Sequence, residues 1–219
     1  LELLTARWAR TAFPPRPEDA NKGTFGRVLV VGGSPRYLGA PVLAAKGAYR
    51  AGAGLITIAC PQDLVAALAP SIAEATWLPL TPAPAGGLPG EAAIALRGEW
   101  PAFSAAVIGP GIGNTSDTRA LLWAALPDAA QLARGAVIDA DGLNAIAELA
   151  DGRDRVPANA VLTPHPGEMA RLLGTTVADI QSRRIEAASE AASAYGCVVV
   201  LKGAHSVIAD ATGRIALSP

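Results

Sequence analysis

The chain has 219 residues, 51% of them hydrophobic and 17% charged, with a formal net charge of −1. That length and apolar content suit one α/β domain, residues 1–219, with a full-sized core, and they exclude a disordered chain. No run of Lys or Arg stands out, so neither a nucleic acid nor an anionic membrane has an electrostatic footprint.

The segment through Asn21 carries Pro14, Pro15 and Pro17 and reads as a helix with a proline-stiffened lead-in. A regular alternation then begins. Arg27–Val31 is a β-branched run ending in Gly32-Gly33, a buried strand. Ala40–Ala51 is a helix stopped by Gly52 and Gly54. Leu55–Ala59 is a strand, Gln62–Ala69 a short helix and Glu74–Leu78 a weaker strand. Thr81–Gly90, rich in Pro and Gly, is a surface loop. Ala105–Ile108 is a strand, Ser116–Leu126 a helix capped by Ser116, Ala136–Ile138 a strand, Leu143–Ala150 a helix and Ala160–Leu162 a strand. Gly167–Leu173 is a helix. Thr176 to Asp179 resembles a capping box and opens a long helix to about Tyr195. Val198–Leu201 is a strand. Val207–Ala209 and Arg214–Leu217 flank Asp210 to Gly213, a hairpin signal.

Cys60 and Cys197 each close an apolar run and form no Cys-x-x-Cys pair, so both are expected as buried thiols of a reduced compartment. The N-terminus shows no basic stretch leading into an apolar one, and no apolar run is long enough to span a bilayer. A cytoplasmic protein is the expectation.

Short buried strands alternating with helices imply a mostly parallel sheet with helices on both faces. Ligands of such sheets sit beyond the carboxyl ends of the strands. Gly32-Gly33, Gly109-Pro110-Gly111, Asp139-Ala140-Asp141, Thr163-Pro164-His165 and Lys202-Gly203 all follow strands directly and are expected on one rim. Gly109 to Asn114 lets backbone N–H groups approach an anion at a helix N-terminus, and equally suits a tight strand-to-helix turn. Asp139 and Asp141 could hold Mg²⁺ through water or bind a substrate hydroxyl. The alternative is that Asp141 caps a helix while Asp139 binds loop backbone. Two prolines and Gly167 stiffen the backbone around His165, with Glu168 in the next helix's first turn. Lys202 to Ser206 offers a charge, a bare N–H and a hydroxyl, a set suited to a nucleotide phosphate or to a solvated turn. Without Cys pairs or His-x-x-x-His, zinc is not expected, and no Gly-x-Ser-x-Gly elbow points to a serine hydrolase.

Lys22–Gly54, "VIGPGIGN", "VIDADGLN", "LTPHPGEM" and "VVLKGAHSVIAD" follow one another in that order. Together they resemble the NAD(P)H-hydrate dehydratase family, within the ribokinase-like superfamily of three-layer α/β sandwiches, from about Lys22 onward. The resemblance implies dehydration of the S-epimer of hydrated NADH or NADPH (NADHX, NADPHX), coupled to ADP or ATP with Mg²⁺. It implies that Ala40, Gly111 and His165 contact the hydrated dinucleotide, while Asp139, Asp141 and Asn144 line the cleft. Lys202, Gly203, Ala204, His205 and Ser206 are to lie along the adenine nucleotide, and Glu168 is to support the Mg²⁺ and phosphate network. A homo-oligomer, a tetramer, and pairing with an NAD(P)H-hydrate epimerase are implied as well.

The family also carries a Gly-Ser-Gly-Asp segment whose Asp is the catalytic base. The sequence through Pro219 contains none, so that Asp is expected beyond Pro219, together with helices that cover one face of the sheet. Two other readings stand beside the dehydratase. One is a superfamily kinase acting on a hydroxymethylpyrimidine or thiazole alcohol. The other is a non-catalytic nucleotide-binding fragment.

Overall fold

The apolar runs form one sheet. The computed structural model describes residues 1–13, 17–84 and 86–219, so Pro14 and Pro15 of the lead-in and Ala85 of the expected loop lie outside it. In chain order the strands are β1 (Glu2–Leu3), β2 (Arg27–Val31), β3 (Leu55–Pro61), β4 (Thr76–Leu80), β5 (Ala105–Ile108), β6 (Ala136–Ile138), β7 (Val161–Leu162), β8 (Val198–Leu201), β9 (Ser206–Ala209) and β10 (Ile215–Ser218). They lie in the order β1-β10-β9-β8-β7-β6-β5-β2-β3-β4. From β4 across to β8 all pairings are parallel, as the βα alternation predicts. The β9–β10 hairpin adds antiparallel strands, and the two residues of β1 join β10 in parallel. The hairpin turn is held by Asp210, whose Oδ1 accepts from the N–H of Thr212 and of Arg214. The Thr212 hydrogen bonds and then Arg214 hold its carboxyl down at about 2.

The helices are α1 (Ala6–Ala12), α2 (Gly39–Ala51), α3 (Val65–Leu68), α4 (Ala92–Glu99), α5 (Ser116–Ala125), α6 (Asp141–Glu148), α7 (Gly152–Arg155), α8 (Pro166–Leu173), α9 (Val177–Ser182) and α10 (Arg184–Tyr195). One sheet face, with Leu29, Ile108, Ile138, Leu162 and Val199 at its centre, is buried under α4, α5, α6, α8 and α10. Each such side chain contributes about 1.5–3 kcal/mol on leaving water. The second face is covered over β2–β4 by α2 and α3, around Val30, Ile56 and Ile58. Farther along, that face stays half-buried. Val107, Val137, Val161 and Val198 succeed one another in register, followed by Val200, Ile208 and Ala216 on the hairpin side. Both cysteines are buried, and desolvation pushes Cys60 up to about 11 and Cys197 up to about 12, which keeps them as inert neutral thiols.

The loop expected at Thr81–Gly90 leads into α4, which buries Ala92, Ala93 and Leu96. Three local expectations are corrected. Residues 62–69 form 3₁₀ turns around the single helical turn of α3, since Pro70 cannot extend it. The cap of α5 is Thr115, whose hydroxyl accepts from Thr118 N–H at 3.1 Å; Ser116 is already inside the helix. The long helix expected to Tyr195 breaks at Arg183 (φ −140°, ψ 49°) into α9 and α10. Arg183 leaves the helical path and engages Asp179 at 2.7 Å and Glu190 at 2.6 Å, an acid on each side of the break.

Candidate active site

The carboxyl ends of β2, β5, β6, β7 and β8 are neighbours in the sheet, so the five singled-out loops form one rim. Hydrogen bonds join them in series. Gly33 N–H donates to Pro110 O at 3.0 Å. Gly113 N–H donates to the Asp141 carboxylate at 2.9 Å, linking the β5 and β6 loops. Lys202 N–H donates to Pro164 O at 2.8 Å, and its Nζ donates to Asp139 Oδ1 at 2.6 Å, linking the β8 loop to those after β7 and β6.

The glycine end of the rim is set by close approach. A Cβ on Gly111 (φ 66°) would lie 2.6 Å from Tyr37 Cβ and 2.9 Å from Ala40 Cβ, so Gly111 and Ala40 touch at the start of α2. Gly109 (φ 114°) sits against the backbone of Asp139 and Gly142. The capping alternative for the acid pair is not what the fold shows. Asp141 is the first residue of α6 and binds the neighbouring loop, while Asp139 binds Lys202.

Between the two acids, Ala140 has φ 53° and ψ −122°, and Gly142 N–H closes the turn onto Asp139 O at 3.0 Å. This is the glycine-favouring first central position of a type II′ turn, and it turns both carboxylates toward the rim. Among the described residues it is the one non-glycine with positive φ. Such strain costs on the order of 1–3 kcal/mol. Ala140→Gly is therefore expected to stabilise the fold by about 1 kcal/mol and raise the melting temperature by about 2–4 °C. A lower melting temperature in thermal unfolding would refute the strain.

The charged end is built by α8. His165 is its N-cap, with Nδ1 accepting from Gly167 N–H (2.9 Å) and Glu168 N–H (3.2 Å). Glu168 returns the contact by accepting from His165 N–H at 2.7 Å. The reciprocal capping box thus lies here. The one expected at Thr176 is reduced to a cap on Asp179 N–H. Because Nδ1 accepts, the neutral ring carries its proton on Nε2, 3.3 Å from Glu168 Oε1. Glu168 is only 4% exposed, and Lys202 Nζ stands 3.7 Å from its Oε2. Lys202 therefore bridges Asp139 and Glu168 at the head of the β6, β7 and β8 loops.

This arrangement does not fit a preformed metal cage. Glu168, expected to serve Mg²⁺, has both oxygens engaged by His165 and Lys202. Among the described residues no group of three His, Cys, Asp or Glu side chains is placed to hold an ion.

Other expected residues lie apart from that cluster. Asn144 accepts from Arg171 at 2.9 Å on the α6–α8 surface. Gly203, Ala204 and His205 line a groove of about 660 Å³ with Pro166, Ile185, Val207 and Leu217. Ser206 is the first residue of β9 and pairs with Ser218. Arg184, which no motif of the sequence singles out, is in the same groove. Its only sequence signal is a second Arg beside Arg183.

The rim and layers define a nucleotide-type α/β ligand domain of the ribokinase-like kind, its binding loops on the carboxyl edge of a parallel sheet. The chain belongs to the NAD(P)H-hydrate dehydratase family, whose profile matches residues 28–219. It is 44% identical over 221 residues to a bifunctional NAD(P)H-hydrate repair enzyme of Moorella thermoacetica, covering 99% of this chain and 40% of that protein. It is 36% identical over 210 residues to an ADP-dependent (S)-NAD(P)H-hydrate dehydratase of Neisseria meningitidis, covering 95% of this chain and 66% of that protein. The crystal structure of an ADP/ATP-dependent NAD(P)H-hydrate dehydratase from Bacillus subtilis, co-crystallised with ATP and Mg²⁺, is similar with a TM-score of 0.80 and 29% identity. That match covers all of this chain and 72% of the other. The chain thus spans about 40% of the length of the bifunctional relatives.

Proposed function

We propose that the protein restores NADH and NADPH from their hydrated S-epimers, with ADP as co-substrate. The observation that carries this reading is the single hydrogen-bonded rim: glycine loops at one end, the Asp139–Lys202–Glu168–His165 cluster at the other. In it Ala40, Gly111 and His165 contact the hydrated dinucleotide, Asp139, Asp141 and Asn144 line the cleft, and Lys202 to Ser206 run along ADP.

The chemistry follows from leaving groups. Hydroxide departs poorly from the hydrated ring. Transfer of the terminal phosphoryl group of ADP to that hydroxyl gives AMP and a phosphate ester. Loss of inorganic phosphate and a ring proton then restores the double bond. Positioning and charge stabilisation carry such a transfer. Lys202 supplies positive charge beside the nucleotide, the glycine N–H groups meet anionic oxygens, and Glu168 fixes the loop that presents His165. Held by the nucleotide's phosphates, Mg²⁺ would supply charge neutralisation there. No residue from Leu1 to Pro219 is assigned as the base. Membership of a family that includes bifunctional repair enzymes supports functional pairing with an epimerase. A cytoplasmic homo-oligomer of this single domain completes the proposal. Among the described residues no helix is long and apolar enough to cross a membrane.

The test supplies hydrated NADH and ADP to the full-length protein and follows the return of dihydronicotinamide absorbance. No return with either ADP or ATP would remove the reading. A phosphorylated pyrimidine or thiazole alcohol accumulating instead would put a kinase in its place.

A further inference from the structure

Arg183 and Arg184 are adjacent in sequence and opposite in circumstance. Arg183 is neutralised by Asp179 and Glu190, which raise its pKa further through hydrogen bonds. Arg184 makes no ion pair among the described residues. Its Nη1 donates to the Gln181 side-chain amide oxygen at 3.0 Å. Its Nη2 faces three backbone carbonyls, Leu201 O at 3.2 Å, Lys202 O at 3.3 Å and His205 O at 3.1 Å. Those carbonyls belong to the end of β8 and the loop leading to β9, so one guanidinium cradles the turn that carries Lys202 to His205.

The loop is shaped to admit it. A Cβ on Gly203 would lie 2.6 Å from Arg184 Nη2. Glycine at 203 therefore leaves room for the guanidinium in its present position, which a side chain there would push aside; its own backbone angles do not call for glycine, since Gly203 is not among the positive-φ residues. Carbonyl oxygens satisfy the guanidinium's N–H groups without cancelling its charge. The groove lined by Arg184, Gly203, Ala204 and His205 consequently holds a fixed cation; Glu186 also lines it, but among the described residues no carboxylate forms an ion pair with Arg184.

We propose that Arg184 is a positioning and specificity residue for the nucleotide: it fixes the Lys202–His205 backbone and leaves a positive charge in the groove that selects a nucleoside diphosphate over a nucleoside. The proposal rests on the reading above that this loop lies along ADP. A planar, polydentate guanidinium suits both tasks, whereas a lysine ammonium could supply only the charge.

The test uses the full-length protein and the variants Arg184→Gln, Arg184→Lys and Gly203→Ala. ADP and adenosine binding are followed by calorimetry, the KM for hydrated NADH by kinetics, and backbone hydrogen exchange over residues 202–206 by mass spectrometry. In Arg184→Gln the ADP dissociation constant should rise about tenfold or more, with adenosine binding and the hydrate KM changed less than twofold. Arg184→Lys should recover part of the ADP affinity but not the exchange protection. Gly203→Ala, which displaces the guanidinium from the other side, should weaken ADP in the same selective way, so the result does not depend on one variant's folding. If the unmodified protein binds ADP and both Arg184→Gln and Gly203→Ala bind it equally well, the inference fails and the proposed function stands. If the unmodified protein binds no ADP, both fail together.

Discussion

Lys202→Met is expected to abolish most of the activity while leaving a folded protein. Methionine keeps the length of the stem and deletes the charge that bridges Asp139 at 2.6 Å and Glu168 at 3.7 Å. Two terms decide the stability cost. The Lys202 and Asp139 side chains are 40% and 33% exposed, so solvent screens their pair and its loss is small. Glu168 is 5% exposed and keeps only its His165 contacts, which makes the leftover carboxylate the larger penalty. Together these amount to about 1–2 kcal/mol. The effect on turnover should be far greater, about a hundredfold or more, because fixed charge at a transferring phosphoryl group acts chiefly in the transition state. Steady-state kinetics beside a melting curve separates the two. A variant that loses stability but turns over normally would show that Lys202 is only a brace. Adding Asp139→Asn should restore part of the stability and none of the activity.

Gly109→Ala should be the most damaging single methyl in the rim. The new Cβ would stand 2.2 Å from Asp139 O and 2.6 Å from Gly142 N, both backbone atoms of the strained turn, at a φ of 114°. No side-chain rotation relieves that contact, so β5 and β6 must part at their ends. A cost of about 3 kcal/mol or more is expected, a fall in melting temperature of about 6–12 °C. Gly113→Ala is the matched control. It also has positive φ, 87°, but its nearest neighbour is Ser34 Oγ at 4.0 Å, so only the backbone preference is lost, about 1 kcal/mol. Equal effects from the two substitutions would mean that close approach is not what glycine provides at 109.

The parallel core was legible because its signal is local. Val28 to Val31, Ala105 to Ile108 and Val198 to Leu201 are short apolar runs closed by Gly or Lys-Gly, and each became a strand at the expected place. The rim was legible for the same reason, since residues directly after parallel strands must share an edge. What stayed hidden depends on partners distant in the chain. The break at Arg183 follows from two acids on either side of it, one in each half of the expected helix. Helix α4 has an ordinary apolar face whose meaning appears only once it lies against the core. Arg184 carries no mark in the sequence, because its backbone partners lie 17 or more residues later. The pairing of Lys202 with Asp139, 63 residues apart, carried no mark in either motif.

The strand order has a consequence for how the protein matures. Gly32, Gly33 and Gly111 come together only when β2 pairs with β5, Val28 with Ala105, whereas the ionic end needs β8 beside β7, where Val161 pairs with Val198 across a much shorter stretch of chain. Closing the longer span, between β2 and β5, is the slower event, since its loop entropy is lost before any contact repays it. During refolding the half of the cleft assigned to ADP is thus assembled ahead of the half assigned to the dinucleotide, and competence for both ligands together waits for β5 to join β2.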